Sequence, residues 1–415
     1  MIDRIAVLGG SSVYTPEFIL AVISRNLCVS EIALVGRSAR KLKLVSQFCQ
    51  RLMDRSGYPC KIIGTTDLEE GVAGAKYVLN NIRVGGMSAR VRDEGLPPRM
   101  GMIGDEALGA GGVANALRTL PVVLEYAQRI AAVNPDAAFV NLTHPMGACV
   151  EALAKHSSLR VVGVCDSARI YIRRIAALLR VPEEDLKVDY LGLNQMGWIQ
   201  DVRVKGRSQM SRVLDRLDGH TEDEFDLDVI MLFRMIPTRR LSLYFHKDVV
   251  IKQQRAMSRS RSEALQEAEE QILRLYEDEQ LVEIPDLTRA RNALWYEETI
   301  VPLIDAMESK EGRDIVLCVR NEGAIRDLGD DCSVEIPVRV NASGIKQHKV
   351  GSCPRFLRGL FLAAKESDRL AVEAVVHKSY ELALQALTIN PFVPSLDAAR
   401  QYLDRIRKEE RIELH

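Results

Sequence analysis

Two short stretches of the chain gather groups capable of bond chemistry. Val161-Val-Gly-Val-Cys165-Asp166-Ser167 ends an apolar run in a thiol followed directly by a carboxylate. Gly192-Leu-Asn194-Gln195-Met196 places two amides in succession. Upstream, Ile5-Ala-Val-Leu-Gly9-Gly10-Ser11-Ser12-Val13-Tyr14 runs from an apolar stretch into glycines and hydroxyls ahead of Thr-Pro-Glu. A strand, a glycine-rich turn and a helix start aim backbone N–H groups and a positive helix end at a pyrophosphate. The pattern departs from GxGxxG, so a plain tight turn is the competing reading.

The next strand ends Leu34-Val35-Gly36-Arg37, where an NAD enzyme would carry Asp or Glu for the ribose hydroxyls. Arginine is the type that accommodates the 2′-phosphate of NADP, and Arg37 reads equally well as a solvated helix-start residue. NAD and NADP both stay open. A further stretch, Ile82-Arg83-Val-Gly85-Gly86-Met-Ser-Ala-Arg90-Val-Arg92-Asp93-Glu94, carries three arginines around a glycine pair, and a second glycine-rich run spans 101–112. Guanidinium forks suit planar or tetrahedral oxyanions, and glycines let backbone approach a ligand closely. The segment reads as an active-site loop in preference to a mobile surface loop.

The elements that would position these groups alternate. Ile5–Leu8 and Glu31–Val35 are strand-like, Pro16–Arg25 and Ala39–Ser56 helical, and 115–132 helical again. The apolar runs 77–82, 138–142 and 160–164 fit buried parallel strands. Such alternation predicts an α/β fold: a Rossmann-like, doubly wound parallel sheet whose ligands lie at the strand carboxyl ends. Arg83, Asn141 and Cys165-Asp166 each fall where a strand closes. The expected division is a dinucleotide-binding domain over 1–195 and a C-terminal α+β substrate-binding and oligomerisation domain over 196–415.

Composition bounds the rest. The 415 residues can bury an ample core, and a net charge of −1 lacks the basic excess of a nucleic-acid binder. No apolar run approaches a membrane span, and Arg4-Ile-Ala-Val-Leu8 shows no signal-peptide core. Eight cysteines without CxxC pairs read as reduced thiols and a cytoplasmic setting.

The order of motifs is more specific than any one of them. Tyr14-Thr-Pro-Glu, Arg83-Val-Gly-Gly, Gly101-x-Ile-Gly104-x-Glu106, Asn141-Leu-Thr-His144-Pro145-x-Gly147, Cys165-Asp166 and Gly192-Leu-Asn194 follow one another. Ile236-Pro237, Arg291-Asn-Ala-Leu-Trp-Tyr296, Asn321-Glu-Gly323 and Asn390-Pro391-Phe-Val-Pro394 continue the series. In this order the chain resembles glycoside hydrolase family 4, the NAD- and metal-dependent 6-phospho-glucosidases and their relatives. The resemblance covers nearly the whole chain and implies homodimers or homotetramers.

It also implies a redox-assisted elimination, an exception to two-carboxylate glycoside hydrolysis. Hydride leaves C3 of the sugar for the cofactor, the C2 proton becomes acidic, the C1 bond breaks, water adds, and hydride returns. By resemblance, Gly9, Gly10, Ser11, Ser12, Val13, Arg37 and Arg83 face the cofactor. Asn141 holds sugar hydroxyls, Cys165 aligns with a metal-binding cysteine, and Asp166 takes the place of the general acid. The histidine of the family's Gly-Leu-Asn-His motif is Gln195 here, a poor metal ligand beside imidazole or thiolate.

His144 stands where the family carries asparagine, and three roles stay open for it: replacement ligand, acid or base, or a fold hydrogen bond. Tyr244 is the one tyrosine left in the segment after Ile236-Pro237, either a base with a cation-lowered pKa or a packed aromatic. Arg90, Arg240 and Arg291 are the candidates for a substrate anion. The lost histidine and added arginines point to a metal-free, sulfoquinovosidase-like enzyme for 6-sulfo glycosides. A metal-dependent 6-phospho-glucosidase is the first alternative, a lactate/malate-type dehydrogenase the second, and a non-catalytic nucleotide sensor the third.

Overall fold

A computed structural model describes residues 1–218, 225–291 and 293–415. Its thirteen strands are β1 (Ile2–Leu8), β2 (Val29–Val35), β3 (Lys61–Thr65), β4 (Tyr77–Asn80), β5 (Ala138–Asn141), β6 (Arg160–Gly163), β7 (Leu186–Leu193), β8 (Met196–Val204), β9 (Arg207–Ser208), β10 (Ile236–Pro237), β11 (Arg313–Arg320), β12 (Ser333–Asn341) and β13 (Gly344–Gln347). The first six are parallel in the order β3-β2-β1-β4-β5-β6. That is the Rossmann order, with its switch point between β1 and β4. Short runs such as Tyr-Val-Leu-Asn are buried along their whole length, which is what a sheet covered on both faces requires.

The sheet continues without a break into the second half. Antiparallel β11 and β12 lie between β6 and β7, and β8 and β10 extend the far edge. The largest apolar core includes Phe18, Phe48 and Trp198, and a second includes Phe139, Leu120 and Tyr402. The helix Ala39–Ser56 is capped by Ser38, which accepts from the Lys41 amide, and closed by the left-handed Gly57. Stacking of Phe48 on Tyr276 at 4.2 Å ties that helix to the end of helix Arg261–Leu275.

One local expectation is corrected. Residues 86–99 form a helix and not a loop, and the next helix starts at Gly109, well before 115. Gly85 at φ +78° and Gly86 at φ +65° begin the first helix, and Pro97 and Pro98 sit in its last turn. These residue types mask helical periodicity in sequence.

The glycine turn after β1 tolerates no side chain. Gly9 has φ +80°, and a Cβ there would lie 2.5 Å from the Asn81 carbonyl oxygen. Gly9→Ala is therefore expected to cost more than the roughly 1–2 kcal/mol of the left-handed backbone alone. Urea denaturation measures this, and an unchanged midpoint would contradict the turn as described.

Candidate active site

The carboxyl ends of β1, β4, β5 and β6 open toward one group of charged residues. Asn80 and Asn141, in register at the ends of β4 and β5, join through Asn80 Nδ2 to Asn141 Oδ1 at 2.8 Å. Asn141 Nδ2 donates to the Thr143 carbonyl at 2.9 Å, and the residue is fully buried. Its side chain thereby braces the His144-Pro145 turn. The His144-Pro145 peptide is cis, and Asn115 Nδ2 donates to the His144 carbonyl at 3.0 Å.

Glu106 is the electrostatic centre. Its carboxylate pairs with Arg83 and, at 3.2 Å, with Arg90, whose Nε also reaches Glu94 at 2.8 Å. Burial alone would raise the Glu106 pKa, but Arg83 and Arg90 overcome it and hold the carboxyl well below the usual carboxylate range. Arg240 pairs with Asp105, whose other oxygen accepts from the Ala107 and Leu108 amides. Arg90 and Arg240 are thus already committed to carboxylates.

Arg291 is not. Its guanidinium lies over Tyr14 at 4.9 Å and Trp295 at 5.0 Å, with no ion pair among the described residues. Burial, then the positive charges of Arg83 and Arg90, lower its pKa to about 10, so it stays cationic. Asn292, beside it in the quoted motif, lies outside the described residues.

His144 sits among these charges with its Nδ1 buried and, among the described residues, without a partner. Burial, then Arg83, Arg90 and Arg291 against the opposing Glu106, bring its pKa down to about 4, which leaves a neutral ring. A base whose folded pKa lies below its ordinary 6.5 contributes stability that is complete above that value. The contribution is lost as pH falls through the window toward about 4. His144→Gln should flatten the acid limb of a stability-versus-pH curve in that window, and an unchanged slope would contradict the buried neutral ring.

Cys165 and Asp166 follow β6, with Asp166 at the N-terminal cap of helix Ser167–Leu179. Gln195 Nε2 donates to Cys165 Sγ at 3.2 Å, Ser167 Oγ lies 3.2 Å from the same sulfur, and Ser167 Oγ donates to Gln195 Oε1 at 3.4 Å. Burial pushes the Cys165 thiol up to about 12, with the Asp166 charge adding to the effect. Asp166 is itself raised, chiefly by burial, while Arg291 opposes. Asp166 and Arg291 therefore share one electrostatic neighbourhood.

The other expected residues lie as follows. Gly10 donates its amide to the Val35 carbonyl at 2.9 Å, Ser12 Oγ accepts from the Tyr14 amide at 3.3 Å, and the Val13 carbonyl accepts from the Tyr276 hydroxyl at 2.7 Å. Ser11 packs so closely on Gly36 that a Cβ there would lie 2.9 Å from Ser11 Oγ. Arg37 is exposed at the end of β2 and makes no ion pair among the described residues. Tyr244 packs edge-on against Phe245 at 5.2 Å and Phe392 at 5.8 Å.

Sequence reasoning gave no role to Glu106, Glu335 or Ser167. Glu335 is buried on β12, accepts from the Tyr190 hydroxyl and, at 2.7 Å, from Asn194 Nδ2, and burial raises its pKa to about 7. A lone charge inside Ser333-Val-Glu-Ile-Pro was the available signal.

A 3-2-1-4-5-6 sheet with a glycine turn and a charged cluster at its carboxyl edge defines an α/β enzyme of the dinucleotide-binding kind. Comparison narrows this. Residues 4–181 match the model described as family 4 glycosyl hydrolase, and residues 190–393 match that family's C-terminal domain. The chain belongs to glycosyl hydrolase family 4, and the dehydrogenase and non-catalytic alternatives give way to a glycosidase. It is 32% identical over 420 residues to a probable 6-phospho-beta-glucosidase of Bacillus subtilis, covering 97% of this chain and 95% of that protein.

The 6-phospho-beta-glucosidase of Thermotoga maritima, solved with NAD and glucose-6-phosphate, superposes with a TM-score of 0.92 at 30% identity, over 99% of this chain and 100% of that one. A form of the same enzyme with manganese, NAD+ and glucose-6-phosphate gives 0.91 at 30% identity, over the whole of both chains.

Proposed function

We propose that the protein hydrolyses 6-phosphorylated glycosides by transient oxidation, with NAD as a catalytic and not a consumed cofactor. The observation that carries this is Arg291, a buried cation with no ionic partner among the described residues, within electrostatic reach of both the Arg83–Glu106–Arg90 cluster and Asp166. A phosphate dianion would supply the missing charge and accept the guanidinium fork. The expected preference for a sulfonate moves to phosphate, because the relatives are 6-phospho-glucosidases and are solved with glucose-6-phosphate. The same relatives favour NAD over NADP, with Arg37 as a solvated residue.

When bound, the cofactor takes hydride from C3 of the sugar and later returns it, so no net oxidation occurs. The chain's own residues then manage protons. His144, neutral and with no partner for Nδ1 among the described residues, can accept a proton from the sugar. Asp166, whose burial favours the protonated form, delivers one to the departing C1 oxygen. Asn80 and Asn141 fix the turn that carries His144. The site residues, a division of labour at residue 195 and a homodimer or homotetramer in the cytoplasm belong to this reading. Among the described residues no helix is long and apolar enough to cross a membrane.

The test is incubation with NAD and para-nitrophenyl 6-phospho-α- and β-glucosides, beside para-nitrophenyl α-sulfoquinovoside. Nitrophenol release from a phosphorylated sugar without accumulation of NADH is expected. Release confined to the sulfonated sugar, or NADH accumulating with turnover, would overturn the reading.

A further inference from the structure

Gln195 holds a backbone conformation that glutamine seldom takes. Its φ is +66°, at the second position of the two-residue turn in which Leu193 of β7 pairs with Met196 of β8. Glycine fits this region freely, whereas a residue with a Cβ carries a penalty of about 1–2 kcal/mol. Such outliers, where they persist, gather at sites that use the side chain.

The surroundings hold that side chain in one place. Nε2 donates to Cys165 Sγ at 3.2 Å, Oε1 accepts from Ser167 Oγ at 3.4 Å, and the Gln195 carbonyl accepts from Thr238 Oγ1 at 3.4 Å. One residue earlier, Asn194 is pinned by Glu335. A carboxamide nitrogen carries two hydrogens, and among the described residues the second finds no acceptor. Gln195 is 6% exposed, so this donor does not face bulk water, and it lies beside Cys165 and Ser167, which flank Asp166.

The same residues fit a divalent cation poorly. The amide N–H facing Sγ occupies the sulfur where a cation would bind. A carboxamide oxygen is a weak ligand beside imidazole or thiolate.

We propose that Gln195 is the electrophile of this site: its second N–H donates to the C3 oxygen of the sugar, and turnover requires no divalent metal. This rests on the oxidation–elimination reading above. When C3 gives its hydride to NAD and its hydroxyl proton to a base, the oxygen left behind is a carbonyl that accepts the amide N–H. Loss of the C2 proton then places enolate charge on that oxygen, where a fixed donor stabilises most. A cation would do the same as a Lewis acid. Here a preorganised hydrogen bond takes that role.

Two measurements on the full-length protein decide it. In a Mn²⁺ titration followed by electron paramagnetic resonance, the wild type should leave the free-ion signal unchanged, while Gln195→His takes up one ion per chain. Wild-type uptake that is abolished by Cys165→Ser would overturn the proposal. In steady state with EDTA, Gln195→Met should lower kcat by roughly 10²–10³ with little change in KM. NAD binding, followed by tryptophan fluorescence, should persist and report an intact fold. A kcat within threefold of wild type would overturn the proposal. The Mn²⁺ titration needs no substrate, so a failure of the phospho-glycoside reading is distinguishable from a failure of this one.

Discussion

An Asp166→Asn protein is expected to lose kcat/KM by about 10²–10⁴ on substrates with poor leaving groups, and far less on para-nitrophenyl glycosides. Asp166 caps helix Ser167–Leu179 without a side-chain hydrogen bond to it, and its carboxyl takes a long contact from Cys165 Sγ at 3.9 Å. Burial raises its pKa, which favours the protonated form a general acid needs, while Arg291 works against that rise. Asparagine keeps the shape and removes the transferable proton. A series of aglycones of graded acidity gives the comparison. Equal losses across the series would assign Asp166 a binding role and remove it from proton delivery.

Glu106→Gln is expected to cost about 3–5 kcal/mol of folding stability, the range for breaking a buried ion pair on one side. The Glu106 side chain is 6% exposed and faces Arg83 and Arg90 together. Without its charge, those two arginines and Arg291 repel one another with no carboxylate between them. Glu106 is held below its ordinary 4.5, so its stabilisation is present above that value and is lost only as pH falls into strong acid. Urea denaturation near neutral pH would show the loss. A shift below 1 kcal/mol would mean that the cluster behaves like exposed surface pairs.

The parallel half of the fold was legible because most of its strands carry apolar runs toward their carboxyl ends, and strands alternate with helices. Helix Ala39–Ser56 falls where its periodicity, Ser38 and Gly57 place it. Residues 83–112 were less legible, since Gly85, Gly86, Pro97 and Pro98 are loop formers by propensity and are helical here through tertiary packing. Site residues were readable as types and positions, but their pairing was not. Sequence sets Arg90, Arg240 and Arg291 side by side as anion ligands. Structure shows Glu94, Glu106 and Asp105 already holding the first two. Such partners lie far apart along the chain, as Arg240 and Asp105 do, and one sequence carries no trace of the contact.

The insertion of β11 and β12 between β6 and β7 has a consequence for any attempt to divide this protein. The pair acts as a keystone that arrives late in the chain. A polypeptide ending near residue 195 would have its glycine turn and most of its parallel strands. It would also leave β6 without the neighbour that meets it at Gly163, and β7 without both β8 and β12, exposed edges that template self-association. A growing chain must therefore wait for residues 313–341 before its central sheet can close, and its folding rate is tied to a loop closure of some hundred and fifty residues.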